Sequence, residues 1–177
     1  MTKIGDATVL KTERLVLRRP AEGDLEALHE IMSDAETMRY WSTPPHPDLE
    51  TTRRFLAYMI SAPLETGEDF ILERDGRVVG KLGAWRWPEV GFILSRRCWG
   101  QGLATEALRA FLAHAFSGLA DHLVADVDPR NIASLALLSR LGFEETGRAE
   151  KTWLVGEQWC DSVYLRLDRG RDPKAID

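Results

Sequence analysis

Two glycines between a strand pattern and a helix pattern constrain this chain more than any other feature. The segment Trp99-Gly100-Gln101-Gly102-Leu103-Ala104 follows the apolar run 90–94 and precedes the helix-forming run 105–114. Glycines lack a Cβ, so the backbone can curl with successive N–H groups on one side. The helix behind them adds unpaired N–H groups and the positive end of its dipole. This order predicts a phosphate or pyrophosphate site made of backbone.

Familiar phosphate motifs fit this segment incompletely. The loop of nucleotide triphosphatases needs Gly-Lys-Ser/Thr, but Leu103 follows Gly102. A dinucleotide fingerprint accepts the spacing of Gly100 and Gly102, but it requires Gly or Ala where Thr105 stands, and it belongs to the first strand of its domain. A nicotinamide oxidoreductase is therefore one alternative, and an ordinary turn before a helix is another.

Length and composition indicate an ordinary globular protein. The 177 residues predict a single domain over 1–177, with 44% hydrophobic and 29% charged residues. A net charge of −5 argues against a nucleic-acid partner. Cys98 and Cys160 are too few for a disulfide framework or a zinc site, so no metal is expected. No apolar run reaches membrane-spanning length and no signal-peptide core follows Met1, which favours a cytoplasmic location without a membrane partner.

Strand and helix patterns alternate along the chain. Asp24 is predicted to cap the first helix, Asp75-Gly76 to form a hairpin turn, and Gly142 to end the last helix. The patterns predict an α+β fold, a mixed α/β sandwich, with one twisted, mostly antiparallel sheet and helices on its faces. Its core covers about 12–167, and a polar tail covers 168–177. Strands are predicted at 15–18, 70–74, 77–82, 90–94, 123–127, 150–155 and 162–167, and helices at 24–32, 49–60, 105–114 and 131–141.

Several sequence blocks together resemble the GNAT superfamily of acyl-CoA-dependent N-acetyltransferases. The resemblance extends in family order from about Thr12 to Leu167, and it is strongest to the branch that contains the ribosomal-protein N-terminal acetyltransferases. It implies transfer of an acetyl group from acetyl-CoA to a primary amine, either a protein N-terminus or a small molecule. The blocks are TERLVLR at 12–18, EVGFIL at 89–94, WGQGLATEA at 99–107, NIAS at 131–134, LGF at 141–143, Gly156 and Asp161.

The resemblance also implies a cofactor site. The pantetheine arm would pair with the backbone of a strand that splays from the strand of Asp126, and Asn131 would hydrogen-bond the arm, although Asn131 could also simply cap its helix. The N–H of Leu94 would stabilise the oxyanion of the reaction intermediate. Trp99 departs from the Gln or Arg that opens the family signature. The cofactor-binding residues are therefore Phe92, Ile93 and Leu94 for pantetheine, Gly100, Gln101, Gly102, Leu103, Ala104 and Thr105 for pyrophosphate, and Asn131 with Ser134.

The chemistry requires a neutral amine, because only a lone pair attacks a thioester. An α-amine has a pKa of about 7.7–8.0 and a lysine of about 10.4, so a modest general base suffices. Asp126 stands where some members of the family carry a Glu, and Glu89 and Glu150 are further candidates. Ser134 matches the proton donor of related enzymes, and Leu138 occupies the position of a tyrosine donor. The four histidines, His29, His46, His114 and His122, are expected at the surface.

The acceptor site is the least readable part of the sequence. Six aromatic residues could line it, form core, or form the face of a homodimer: Tyr40, Trp41, Trp85, Trp87, Trp153 and Trp159. A protein N-terminus, a polyamine, an aminoglycoside and an amino acid all stay open as acceptors. The alternative to an enzyme is a catalytically idle CoA-binding or protein-interaction module of the same fold.

Overall fold

A computed structural model describes residues 8–170, in which an eight-stranded sheet carries helices on both faces. The strand order is β1-β2-β3-β4-β5-β6-β8-β7, and β5–β6 is the parallel pair of an otherwise antiparallel sheet. The predicted mixed α/β fold is confirmed. The strands are β1 (Val9–Lys11), β2 (Val16–Arg18), β3 (Glu68–Arg74), β4 (Arg77–Arg86), β5 (Glu89–Leu94), β6 (His122–Val127), β7 (Glu144–Val155) and β8 (Gln158–Asp168). The α-helices are α1 (Leu25–Met32), α2 (Leu49–Ser61), α3 (Leu103–Phe116) and α4 (Ile132–Arg140).

The two faces of the sheet support separate apolar clusters. Helices α1 and α2 pack on one face, where they meet Ile71 and Ile93. Helices α3 and α4 pack on the other face, against Phe70, Leu72 and Leu82 among others. Because side chains alternate along a strand, neighbouring residues of β3 and β5 join opposite clusters. The middle of β4 is covered on both sides and is almost entirely buried.

Aspartates stand at the N-cap positions of α1 and α2, but only the one at α2, which was not predicted, caps its helix with the side chain. Asp48 caps α2 by accepting a 2.8 Å hydrogen bond from the Thr51 N–H. Asp24 does occupy the predicted N-cap position of α1, at the end of a 3₁₀ turn over Glu22–Asp24, but its side chain accepts no capping hydrogen bond from the helix. Its buried carboxylate instead accepts from the Ala21 N–H and forms an ion pair with Arg18 at 2.7 Å.

The turns follow the sequence, but several element limits do not. Asp75 and Gly76 both have positive φ, as a two-residue hairpin turn requires, and Gly142 with φ 93° follows the end of α4. Strand β7 starts at Glu144 rather than 150, because an exposed edge strand carries polar residues and lacks an apolar period. The short β1 was not predicted, and α3 starts at Leu103 rather than 105. The predicted tail beyond 170 lies outside the described residues.

Among residues 8–170, none of the helices is both long enough and apolar enough to cross a membrane.

Candidate active site

The parallel strands β5 and β6 separate soon after they meet. Their register consists of one residue pair, Glu89 with Val124, and the Val124 N–H donates to the Pro88 carbonyl at 3.0 Å. Beyond that pair a cavity of about 690 Å³ opens between the strands and reaches the start of α3. The splayed strands implied by the family resemblance are therefore present.

The backbone of β5 presents alternate residues to this gap. The contact at Pro88 places even-numbered residues with their polar groups toward β6, so alternation directs those of Phe92 and Leu94 into the gap. The carbonyl of Ile93 faces Gly80 of β4 instead, and the Ile93 side chain packs in the cluster under α1 and α2. Phe92 and Leu94 thus present open backbone, whereas Ile93 contributes to the cavity wall without it.

The glycine segment joins β5 to the N-terminus of α3. Gly100 and Gly102 have φ of 70° and 75°, a region that favours glycine, and Gly102 is the N-cap of α3. Leu103, Ala104 and Thr105 therefore belong to the first helical turn, whose N–H groups have no partner within the helix. Both glycines and these three residues line the cavity. Backbone donors in this arrangement, at a helix N-terminus, can bind an anion.

Gln101, which also belongs to the predicted set, points its side chain elsewhere. Its amide donates to the Arg97 carbonyl at 2.8 Å and accepts from Arg74 at 2.7 Å. The main-chain carbonyl of Gln101 accepts from Arg14 at 2.9 Å. Gln101 therefore fixes the loop from outside the cavity.

Trp99, the departure from the family signature, has a specific structural partner. Its indole N–H donates to the carbonyl of Leu94 at 2.9 Å. This bond ties the glycine segment to the end of β5 and occupies the Leu94 carbonyl, while the Leu94 N–H still faces the gap.

Asn131 and Ser134 face the gap from the start of α4. The Asn131 side-chain oxygen accepts from the Ser134 N–H at 3.1 Å, which confirms that Asn131 caps the helix. Both residues line the cavity. Because the cap uses only the oxygen, the amide N–H donors of Asn131 stay available for a ligand.

Of the three carboxylates considered as general base, Asp126 lies in the cavity wall. Its Oδ2 accepts a 2.8 Å hydrogen bond from the indole of Trp153 on β7. Glu89 lies at the start of β5, where the strands are still paired, and Glu150 is exposed on β7. Neither Glu89 nor Glu150 is among the cavity-lining residues.

Tyr40 and Trp41 are the two predicted acceptor-site aromatics that line the cavity. The guanidinium groups of Arg39 and Arg130 lie 5.4 and 5.8 Å from the Tyr40 ring. Trp87, in contrast, belongs to the core: it stacks on Phe111 at 6.1 Å. Trp85, Trp153 and Trp159 are exposed and are not among the lining residues.

The sequence analysis missed a buried ion pair behind Trp41. Lys81 and Asp69 are each 3% exposed, with the ammonium 2.7 Å from the carboxylate. The same ammonium lies 5.7 Å from the Trp41 ring and 5.5 Å from the Phe55 ring. Charged residues in the otherwise apolar strands β3 and β4 were the available signal. The pair therefore joins β3 to β4 beneath the Trp41 ring.

The prediction that the histidines lie at the surface is wrong for His46, which is buried. The Nδ1 atoms of His46 and His29 lie 2.8 and 2.7 Å from the Thr52 hydroxyl. Burial, together with the neighbouring His29, lowers the pKa of His46. His114 is also partly buried, 2.7 Å from Glu68. His29, His46 and His114 each partner a residue from another element, which no local spacing reveals.

A second ion pair borders the cavity next to α4. Asp128, which lines the cavity, forms a bidentate pair with Arg130. Burial raises the pKa of Asp128, but the hydrogen bonds from Arg130 outweigh it and leave that pKa below its usual range.

Leu138, at the position of the tyrosine donor in related enzymes, is fully buried. Within residues 8–170 no group of three or more potential ligands is placed to hold a metal ion.

The comparisons with known proteins agree with this geometry. Residues 14–144 match the family model of the acetyltransferase (GNAT) domain. An uncharacterized N-acetyltransferase p20 of Bacillus licheniformis is 30% identical, over 78% of this chain and 83% of its own. The spermidine N(1)-acetyltransferase of Escherichia coli is 26% identical, over 83% and 82% of the two chains.

A solved structure shares the fold at lower identity. The ribosomal L7/L12 alpha-N-protein acetyltransferase RimL, in complex with coenzyme A, superposes with a TM-score of 0.81 at 20% identity. The superposition covers 91% of this chain and 98% of RimL. With the family match, the fold and the gap between β5 and β6, the chain belongs to the GNAT family of N-acetyltransferases.

Proposed function

We propose that the enzyme transfers the acetyl group of acetyl-CoA to a primary amine by direct attack within a ternary complex. The observation that carries the proposal is the gap between β5 and β6, which ends at the N-terminus of α3. Such a gap offers a strand edge at one end and an anion site at the other. CoA carries amides in its pantetheine arm and an anionic pyrophosphate beyond the arm. The amides suit the strand edge and the pyrophosphate suits the anion site, in the same order along the gap.

The backbone accounts for most of the proposed cofactor contacts. The pyrophosphate accepts hydrogen bonds from the N–H groups between Gly100 and Thr105. The pantetheine amides pair with the open backbone of Phe92, and the Asn131 amide donates from across the gap. The thioester carbonyl then lies at the Leu94 N–H, a donor that stabilises the negative oxygen of the tetrahedral intermediate.

Proton transfer in the proposed reaction uses side chains of the cavity wall. The amine nitrogen attacks the thioester carbon, and Asp126 takes the amine proton directly or through a water molecule. The C–S bond then breaks, and the Ser134 hydroxyl gives its proton to the leaving thiolate and regains one from solvent. Glu89 points to the same face of the sheet as Asp126 and is the reserve base, since alternation along the parallel strands places both on that face.

The acceptor end of the cavity suits an amine. Asp126 supplies a carboxylate that can attract an amine, and Tyr40 and Trp41 line the same end with aromatic side chains. The two named relatives modify spermidine and a protein N-terminus respectively. We propose an acceptor of one of these two kinds, a polyamine or the α-amine of a peptide.

The test is acetyl-CoA consumption with a panel of amines, measured as released thiol and as acetylated product by mass spectrometry. The panel contains spermidine and peptides with free and with blocked N-termini. Turnover with one class and none with the blocked peptides supports the proposal and names the acceptor. CoA binding by calorimetry without turnover on any amine favours the idle binding module, and absence of CoA binding refutes the cofactor assignment.

A further inference from the structure

The segment Thr12–Arg14 between β1 and β2 lies against the first turn of α3. Its contacts converge on one carboxylate, that of Glu106. The Thr12 hydroxyl and the Arg14 N–H donate to Oε1 at 2.6 and 2.7 Å, and the Arg14 guanidinium meets Oε2 at 2.7 Å through Nε and Nη2. The Glu106 side chain is 16% exposed, so the pair is largely shielded from solvent on the carboxylate side.

The remaining nitrogen of the same guanidinium reaches the glycine segment. Arg14 Nη1 donates to the Gln101 carbonyl at 2.9 Å. A trans peptide is planar, with its C=O and N–H on opposite sides. Since the Gln101 carbonyl points to Arg14, the N–H of Gly102 points away from Arg14, and Gly102 lines the cavity. Arg14 therefore sets the direction of a donor in the anion site.

Arg14 also compensates a charge that would otherwise oppose this site. Glu106 stands in the first turn of α3, close to where an anion would bind. A carboxylate favours a helix N-terminus but repels a second anion there. The bidentate pair with Arg14 neutralises Glu106 while leaving the N–H groups free.

We propose that Arg14 is a positioning residue for the pyrophosphate of the acyl donor: it holds the Gln101–Gly102 peptide with its N–H toward the cavity and cancels the charge of Glu106. This inference rests on the proposed use of acetyl-CoA. It assigns a role to the sequence block 12–18, whose residues do not reach the reacting atoms.

The experiment compares acetyl-CoA with acetyl-pantetheine, which has the same thioester but no pyrophosphate. For Arg14→Ala we expect the KM for acetyl-CoA to rise about tenfold or more, with kcat within about twofold of the wild type. The substitution removes the charged hydrogen bond to the Gln101 carbonyl and also leaves the Glu106 carboxylate free to repel the pyrophosphate. The kcat/KM for acetyl-pantetheine should stay unchanged. Arg14→Lys keeps the charge but cannot bond Glu106 and the Gln101 carbonyl at the same time. Its KM for acetyl-CoA should therefore lie between those of Arg14→Ala and the wild type.

Matched variants separate this role from a general effect. Arg109 on α3 lines the same surface hollow as Arg14, so Arg109→Ala removes the same charge nearby and should leave both donors unaffected. Arg14→Ala with Glu106→Gln should recover part of the affinity for acetyl-CoA by removing the repulsion. Melting temperatures show whether each variant is folded, and Arg14→Lys serves if Arg14→Ala is not.

The outcomes distinguish the two proposals. Equal losses with both donors in the Arg14 variants, or unchanged KM for acetyl-CoA, would overturn the positioning role. A wild-type protein that shows no CoA binding by calorimetry would instead refute the proposed function. Binding by the wild type with a loss confined to acetyl-CoA in Arg14→Ala supports both.

Discussion

The two ends of the cavity are built from different parts of the polypeptide. At the end near α3 the groups proposed to face the ligand are backbone N–H and C=O groups of continuous segments, β5 and residues 99–105. At the end near Asp126 they are side chains from separate regions, Tyr40 and Trp41 after α1 and Asp126 on β6, and Asp126 is held by Trp153 of β7 from outside the cavity lining. One end is specified by local conformation and the other by tertiary packing.

This difference separates recognition of the acyl donor, which backbone groups can provide, from the acceptor and proton-transfer functions, which depend on particular side chains. Backbone donors recognise any pyrophosphate and pantetheine, and they need only a strand, positive-φ glycines and a helix start. Side chains that meet only through the fold can vary without changing that framework. We therefore expect substitutions at the α3 end to change donor affinity, and substitutions at the Asp126 end to change turnover.

The strongest test of the division is Asp126→Asn, which keeps the shape and removes the basicity. We expect kcat to fall about 10²-fold or more, the usual scale for loss of a general base, while the KM for acetyl-CoA stays near the wild-type value. Steady-state kinetics across pH check this. Activity should partly return at higher pH, because the fraction of free amine then rises without help from the enzyme.

Controls for Asp126→Asn come from the other carboxylates on the sheet. Glu150→Gln lies outside the cavity and should leave kcat unchanged. Glu89→Gln should have a small effect in the wild-type background. Full activity of Asp126→Asn at neutral pH would transfer the role to Glu89 or Glu150, or show that the amine arrives already neutral.

The sequence predicted the local structure of the α3 end for the same reason. A strand, two glycines and a helix are adjacent in the chain, so their spacing alone places the N–H groups of 100–105 together. It could not show that the Ile93 carbonyl faces β4, because that depends on the register with Gly80. Nor could it show that Trp99 binds the Leu94 carbonyl, since no propensity encodes that contact.

The Asp126 end could be predicted only as a set of residues without geometry. Aromatic residues were identified, but the sequence did not separate Trp41, in the cavity wall, from Trp87, in the core. The buried pair of Lys81 with Asp69 joins two strands through pairing that periodicity does not reveal. Long-range packing decides these contacts, and it leaves no local pattern.

A second test concerns Thr105, which lies in the first turn of α3 and lines the cavity. Thr105→Asp should stabilise the helix slightly through its dipole, yet repel the pyrophosphate. We expect acetyl-CoA affinity to fall about tenfold, equivalent to about 1.4 kcal/mol, with the melting temperature unchanged or higher. Calorimetry and thermal unfolding measure the two effects separately.

The charge-matched control for Thr105→Asp is Ala113→Asp on the exposed side of the same helix. It adds the same charge far from the first turn and should leave CoA affinity unchanged. If both variants weaken binding equally, the effect reflects net charge rather than a pyrophosphate at the start of α3.

The smallest expected effect is at Asn131, which lines the cavity at the start of α4. Asn131→Ala removes the cap of α4, at a cost of about 1 kcal/mol in the free energy of unfolding, and removes the amide donors. We expect the KM for acetyl-CoA to rise about fivefold, the scale of one hydrogen bond. Asn131→Asp retains an oxygen for the Ser134 N–H but has no amide N–H, so it should recover the stability and keep the raised KM. Melting temperature and KM measured on both variants decide the matter: a wild-type KM in Asn131→Asp would leave Asn131 a helix cap alone.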